Sequence, residues 1–167
     1  METLKSTILS HQEITHKIRR MAFQIYESNI NAEQVIIAGI KENGYVLAKK
    51  LKAQVEKISP LKVQLCEVSM DKEQPIGSIN CSLDLSKIEN QSLILVDDVL
   101  NSGTTLIYGV KFFLDIPLQQ FKTAVLVDRN HKKYPVKADF KGISLSTSLN
   151  ENVVVDFSKN NFSVRLK

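Results

Sequence analysis

The chain has 167 residues, 43% of them hydrophobic and 24% charged, the make-up of a globular domain with its own core, which excludes disordered and fibrous classes. No apolar run approaches the roughly 18 to 20 residues needed to span a bilayer, and "METLKSTILSHQE" lacks an apolar stretch followed by a small-residue cleavage site, so a soluble, cytoplasmic protein is predicted. The formal charge of +4 and pI near 9.0 fit phosphate or nucleic-acid partners as well as many ordinary domains, but residues 129 to 141, "RNHKKYPVKADFK", alone net +4.

Along the chain, "SHQEITHKIRRMAFQIYESN" opens with Ser10 and, three residues later, Glu13, then repeats apolar residues at Ile14, Ile18, Met21, Ala22 and Ile25. That is a capping box leading into an amphipathic helix, with Lys17, Arg19 and Arg20 off its buried stripe. "QVIIAG" predicts a short strand ending at Gly39, and "YVLAKKLKAQVEKI" a helix whose apolar face is Val46, Leu47, Leu51 and Val55. "LKVQLCEVSM" reads as a strand. "DKEQPIGSINCSLDLSKIENQ" has no sustained period and contains Pro75 and Gly77, which predicts a long excursion forming a mobile hairpin.

"SLILV" and "TAVLVD" read as buried strands, separated by "TTLIYGVKFFLDI", whose Leu106, Val110, Phe113 and Leu114 suit one face of a helix. Repeated strand, helix, strand units predict the α/β class, a mostly parallel sheet with helices on both faces. "NENVVVDF" and "NFSVRLK", joined by "SKNN", predict a closing antiparallel hairpin. No repeat or linker divides residues 1–167, so one domain is expected. Cys66 and Cys81 are too few and too far apart for a metal knuckle or redox pair and are expected as reduced thiols.

"LILVDDVLNSGTT", residues 93 to 105, carries the chemistry. Asp97 and Asp98 fall at the carboxyl end of a buried parallel strand, where open α/β sheets bind ligands. "NSGTT" makes the turn into the next helix, presenting backbone N–H groups and hydroxyls to an anion, with Gly103 permitting close backbone approach. Phosphate donors beside paired acceptors for diol hydroxyls suit a ribose 5-phosphate. The alternative is a helix cap with a structural ion pair, although burying charge without partners costs ~3 kcal/mol or more.

The motif resembles the phosphoribosyl diphosphate (PRPP) signature of the type I phosphoribosyltransferases. The chain from about residue 7 to 157 resembles, in order and spacing, the pyrimidine-operon attenuation regulator and uracil phosphoribosyltransferase family. "AVLVDRNHKKYPVKADFKGISLSTSLNENVVV" is the most specific stretch. The resemblance implies a type I phosphoribosyltransferase fold, with a small hood and a mobile loop over a central sheet, and a homodimer or higher homo-oligomer. It also implies transfer of ribose 5-phosphate from PRPP to a pyrimidine, uracil first, giving uridine monophosphate and diphosphate. Mg²⁺ would come with PRPP, without direct protein ligands.

Carried over residue by residue, the resemblance gives Asp97 and Asp98 the ribose hydroxyls, and Asn101, Ser102, Gly103, Thr104 and Thr105 the 5-phosphate. Ile40, Lys41, Glu42, Asn43 and Gly44, after the first long strand, would hold the diphosphate, with Lys41 alongside the two acids as a catalytic residue. Val127, Asp128 and Arg129 would lie nearest the base, and Asp71 and Lys72 would belong to the mobile loop.

Two stretches depart from the family pattern. Family members typically carry Thr-Arg where this chain has Glu42 and Asn43, and Tyr-Arg-Asp-Asp where it has Ser69, Met70, Asp71 and Lys72. A charge-assisted contact missing from a closed site costs ~2 to 4 kcal/mol. Two readings are therefore carried forward: an enzyme acting on uracil, and a regulator that senses uridine nucleotides and binds pyrimidine-operon messenger RNA with weak or no catalysis.

Overall fold

The protein is described by a computed structural model over residues 6–146, 148 and 151–167. In chain order, β1 (Thr7–Leu9) precedes α1 (His11–Ser28), β2 (Gln34–Ile40), α2 (Asn43–Ile58) and β3 (Lys62–Ser69). Then come β4 (Asn80–Cys81), a single 3-10 turn (Leu85–Lys87), β5 (Ser92–Leu100) and α3 (Thr104–Phe113). The chain closes with β6 (Gln120–Asp128), β7 (Phe140–Ser144), β8 (Val153–Asp156) and β9 (Ser163–Leu166).

The main sheet has six strands in the order β4-β3-β2-β5-β6-β7. All neighbours in it are parallel except the short edge strand β4, which runs antiparallel to β3. The expected excursion therefore returns as a hairpin onto β3, and Cys66 and Cys81 are both free thiols on these two strands. The expected closing hairpin is present as β8 and β9, antiparallel, although Asn150 of its predicted first segment lies outside the described residues. The sequence reading missed β1, which adds to β9 and makes a small sheet of order β1-β9-β8.

Two apolar clusters sandwich the main sheet. On one face Ile14, Ile18, Met21 and Ile25 of α1 and Leu47, Leu51 and Val55 of α2 pack on Val35, Ile37, Ile94 and Val96. On the other, Leu106 and Phe113 of α3 meet Ile36, Ala38, Leu93 and Leu95. Both faces of the central strands are covered, the arrangement that near-continuous apolar strands demand.

α1 buries the five residues its spacing predicts, and its capping box forms as expected, with Ser10 Oγ accepting from the Glu13 amide at 3.3 Å. Two details of the predicted faces differ. α2 turns Gly44, Leu47, Ala48, Leu51 and Val55 inward and leaves Val46 half-buried, because the stripe that fits the sheet begins at a glycine that no apolar pattern marks. α3 ends at Phe113, so Leu114 becomes its cap, 64% exposed, and is not part of the buried face.

Candidate active site

The site grows from where the strands stop pairing. β2 pairs with β5 from Val35 opposite Ser92 to Gly39 opposite Val96, and there the ladder ends. On its other side β5 stays paired with β6 as far as Leu100 opposite Asp128. Asp97 and Asp98 thus follow the last rung to β2, with their backbone still held by β6. Strand order also reverses between β2 and β5, since β3 lies outside one and β6 outside the other. Such reversal points open a crevice at the carboxyl ends of the strands.

A pocket of ≈110 Å³ occupies this crevice, lined by Lys72, Asp97, Asp98, the turn from Val99 to Leu106, and Val125. The two acids and all five residues of "NSGTT" are therefore brought together, as the sequence predicts. The Ser102 and Thr104 hydroxyls lie 2.8 Å apart at the start of α3, where the helix dipole is positive. Gly103 holds φ 87°, a left-handed backbone, and an added Cβ would come within 2.6 Å of Val136 Cγ1. Only glycine satisfies both the torsion and the contact.

Asp97 is buried and Asp98 half-buried. Burial first, and then the charge of Asp98, pushes the Asp97 carboxyl up to about 8, and the Lys72 ammonium, 3.9 Å from Asp97 Oδ1, opposes this without cancelling it. Lys72 is 45% exposed, so water weakens its attraction while Asp97 bears the full desolvation of its site. Asp97 Oδ1 accepts from the Asp98 amide at 2.9 Å, and Asp98 Oδ1 from the Val99 amide at 2.8 Å.

The residues of residues 5–160 match the family model described as "Phosphoribosyl transferase domain". Relatives named "Bifunctional protein PyrR" include one from Clostridium botulinum, 32% identical over 163 residues, covering 91% of this chain and 89% of the relative. Another, from Bacillus subtilis, is 32% identical over 165 residues, covering 93% and 91%. The chain belongs to the phosphoribosyltransferase family, with the PyrR proteins.

Among solved structures, a hypoxanthine-guanine phosphoribosyltransferase from Bacillus anthracis superposes with TM-score 0.78 at 19% identity, covering 97% of both chains. A hypoxanthine phosphoribosyltransferase from Trypanosoma cruzi gives 0.79 at 15% identity, covering 98% of this chain and 86% of the other. These show that the phosphoribosyltransferase fold is shared.

In this phosphoribosyltransferase the remaining candidates, Lys72 excepted, are not among the residues that line this pocket. In the loop after β2, the backbone amide of Lys41 donates to Val68 O at 2.7 Å, and Lys41 and Glu42 are exposed. Glu42 adopts φ 76° and ψ −123° as the residue before α2, a conformation that favours glycine. Gly44 packs so closely on β5 that a Cβ would sit 2.9 Å from Val96 O and 3.2 Å from Asp97 Oδ1. Ile40 is buried in the core.

Asn43 turns inward. Its Nδ2 donates to Asp98 Oδ2 at 3.2 Å and to Val155 O of β8 at 2.9 Å. The sequence marked Asn43 as a departure but held no signal for either partner, which lie 55 and 112 residues away.

The three base candidates gather at the end of β6. The Val127 side chain belongs to the core. Asp128 Oδ1 accepts from the Asn130 amide at 3.0 Å, and its Oδ2 lies 3.9 Å from Lys141 Nζ. The buried Arg129 guanidinium donates to Asn101 Oδ1 at 3.0 Å and to the carbonyls of Ser148 and Glu151. It thereby ties the turn before α3 to the segment beyond β7. In the 70–79 connection, Asp71 Oδ1 accepts from the Glu73 amide at 2.9 Å, closing a tight turn that leaves Lys72 over the pocket.

Proposed function

We propose that the chain transfers ribose 5-phosphate from PRPP to uracil, giving uridine monophosphate and diphosphate. One observation carries this reading: a pair of acids at a strand end and a phosphate-type turn at the start of α3 line the same pocket. Asp97 and Asp98 accept the ribose 2′ and 3′ hydroxyls, while Ser102, Thr104, Thr105 and the start of α3 hold the 5-phosphate. Asn101 supports that turn through Arg129, and the end of β6, with Asp128, faces the base side. Lys41 and the loop to Gly44 stand on the diphosphate side.

Departure of diphosphate leaves an oxocarbenium-like ribosyl centre, so positioning and charge stabilisation do most of the work. The donor set fits Mg²⁺ carried by the substrate, because two adjacent carboxyl groups line the pocket in which the sugar would lie. When bound, Mg²⁺ supplies positive charge to the diphosphate and ribose oxygens. Asp97 and Asp98 would hold the ribose of the substrate that carries it.

A radiochemical assay of uracil, PRPP and Mg²⁺, with Asp97→Asn and Asp98→Asn as controls, tests this. Product should form with the parent protein, and both variants should lose PRPP binding while staying folded. Unchanged binding in the variants would move the site elsewhere, and no turnover with any common nucleobase would end the enzyme reading.

The regulator reading is favoured by a specific contact. Arg20 of α1 donates to the carbonyls of Lys141 at 2.6 Å and Gly142 at 2.9 Å. This joins the Lys17, Arg19 and Arg20 cluster to the basic segment 129–141, in which Lys132, Lys133, Lys137 and Lys141 are exposed. Pyrimidine-operon leader RNA should bind with log K falling by about 0.7 to 0.9 per phosphate contacted as log salt rises. Equal binding of unrelated RNA, with and without uridine monophosphate, would remove this role. We further place the protein as one cytoplasmic domain spanning 1–167 that forms a homodimer or higher homo-oligomer, which gel filtration checks; no helix among the described residues is long and apolar enough to cross a membrane.

A further inference from the structure

We infer that Asn43 is the positioning residue for Asp98, setting the carboxylate toward the ribose without touching the sugar. The inference rests on the reading of Asp97 and Asp98 as acceptors for ribose hydroxyls.

An asparagine amide nitrogen carries two hydrogens. In Asn43 one is directed to Asp98 Oδ2 at 3.2 Å and the other to Val155 O at 2.9 Å, so the donor is fully committed. Val155 is 6% exposed, in the middle of β8 and packed into the core, which makes it a rigid anchor. Asp98 Oδ1 is held in turn by the Val99 amide at 2.8 Å. Asn43 and the Val99 amide thus each hold one carboxylate oxygen, and the remaining lone pairs face the neighbouring Asp97 carboxyl and a ligand hydroxyl.

The backbone is arranged for this contact. Asn43 is the first residue of α2, directly after the strained Glu42, and Gly44 follows in close contact with Asp97. Strain held at such a point marks a conformation that its surroundings impose. A neutral amide also orients Asp98 without adding a cation beside Lys72. The small sheet and the acid pair are thereby joined through one side chain.

Calorimetric titration with uridine monophosphate and with 2′,3′-dideoxyuridine monophosphate reads the ribose contacts directly, because the two ligands differ only in the sugar hydroxyls. The parent protein should prefer the ribonucleotide by about tenfold or more, since buried acceptors left unpaired penalise the analogue. Asn43→Ala should bring that preference to within about threefold while leaving the dideoxy affinity within about twofold of the parent. Adding Asn43→Ala to Asp98→Asn should weaken binding no further than Asp98→Asn alone. Asn43→Ser, which keeps a helix-starting side chain too short to span both acceptors, should shift the preference in the same direction and serves if the alanine variant folds poorly.

Equal weakening of both ligands, or an unchanged preference, would overturn the inference, since a purely structural role moves the two ligands together. A parent protein with no preference for the hydroxyls would instead overturn the ribose assignment itself.

Discussion

Replacing Glu42 by glycine should make this protein more stable, although no contact is gained. Glu42 holds φ 76° and ψ −123°, is exposed, and makes no side-chain cap to α2. A non-glycine residue in such a sparsely populated region costs about 1 to 3 kcal/mol. Glycine removes that cost but adds about 0.5 to 1 kcal/mol of unfolded-chain entropy. The difference is about 1 kcal/mol in favour of the variant, or about 2 to 4 °C in Tm for a chain of this size. Glu42→Ala is the control: it removes the same charge but keeps the Cβ and hence the strain, so it should stay within about 0.5 kcal/mol of the parent. Thermal and urea unfolding at pH 7 measure both. A fall in Tm for Glu42→Gly, or an equal gain for Glu42→Ala, would refute the argument and assign the effect to charge or chain entropy.

Three further outcomes follow from the same geometry. Because the folded Asp97 carboxyl is raised to about 8 from an ordinary 3.8, the folded state keeps a proton that the unfolded chain releases. Stability is therefore present below about pH 4 and is lost progressively as pH rises towards 8; Asp97→Asn should flatten this slope, and an unchanged slope would place the titration elsewhere. Gly103→Ala must adopt φ 87° and drive a Cβ towards Val136 Cγ1 at 2.6 Å, so urea unfolding should show a loss of about 2 kcal/mol or more, together with loss of ribose 5-phosphate binding. Cys81 is half-buried and its thiol is lowered to about 7, chiefly by its interaction with Cys66, whereas Cys66 is buried and raised. Iodoacetamide at pH 7 should therefore label Cys81 first, as peptide mass spectrometry will show, and faster labelling of Cys66 would contradict this packing.

What was legible in the sequence was local or periodic. The capping box and stripe of α1, the buried strands and the turn into α3 each follow from side-chain spacing that the backbone period converts into a face. The pocket-lining turn was readable for the same reason, since its acids, hydroxyls and glycine all fall between Asp97 and Thr105. Leu114 was misplaced because helix length, and not spacing, decides the last face position. β1 was invisible because "TIL" has no strand pattern until β9 lies beside it.

The sequence by itself determined the α/β class, the main helices and strands, and the presence of two acids next to a turn of hydroxyls and glycine, because these are written within about thirteen consecutive residues or in a repeating period. Tertiary structure alone decided what surrounds the acids. It ended the pairing of β2 with β5 at Gly39 and opened the crevice, set Lys72 over Asp97, turned Arg129 onto Asn101, and brought Asn43 between Asp98 and Val155. Such contacts join residues up to 112 positions apart; they arise only when packed layers fix the ends of different strands in one place, and no local pattern encodes that meeting.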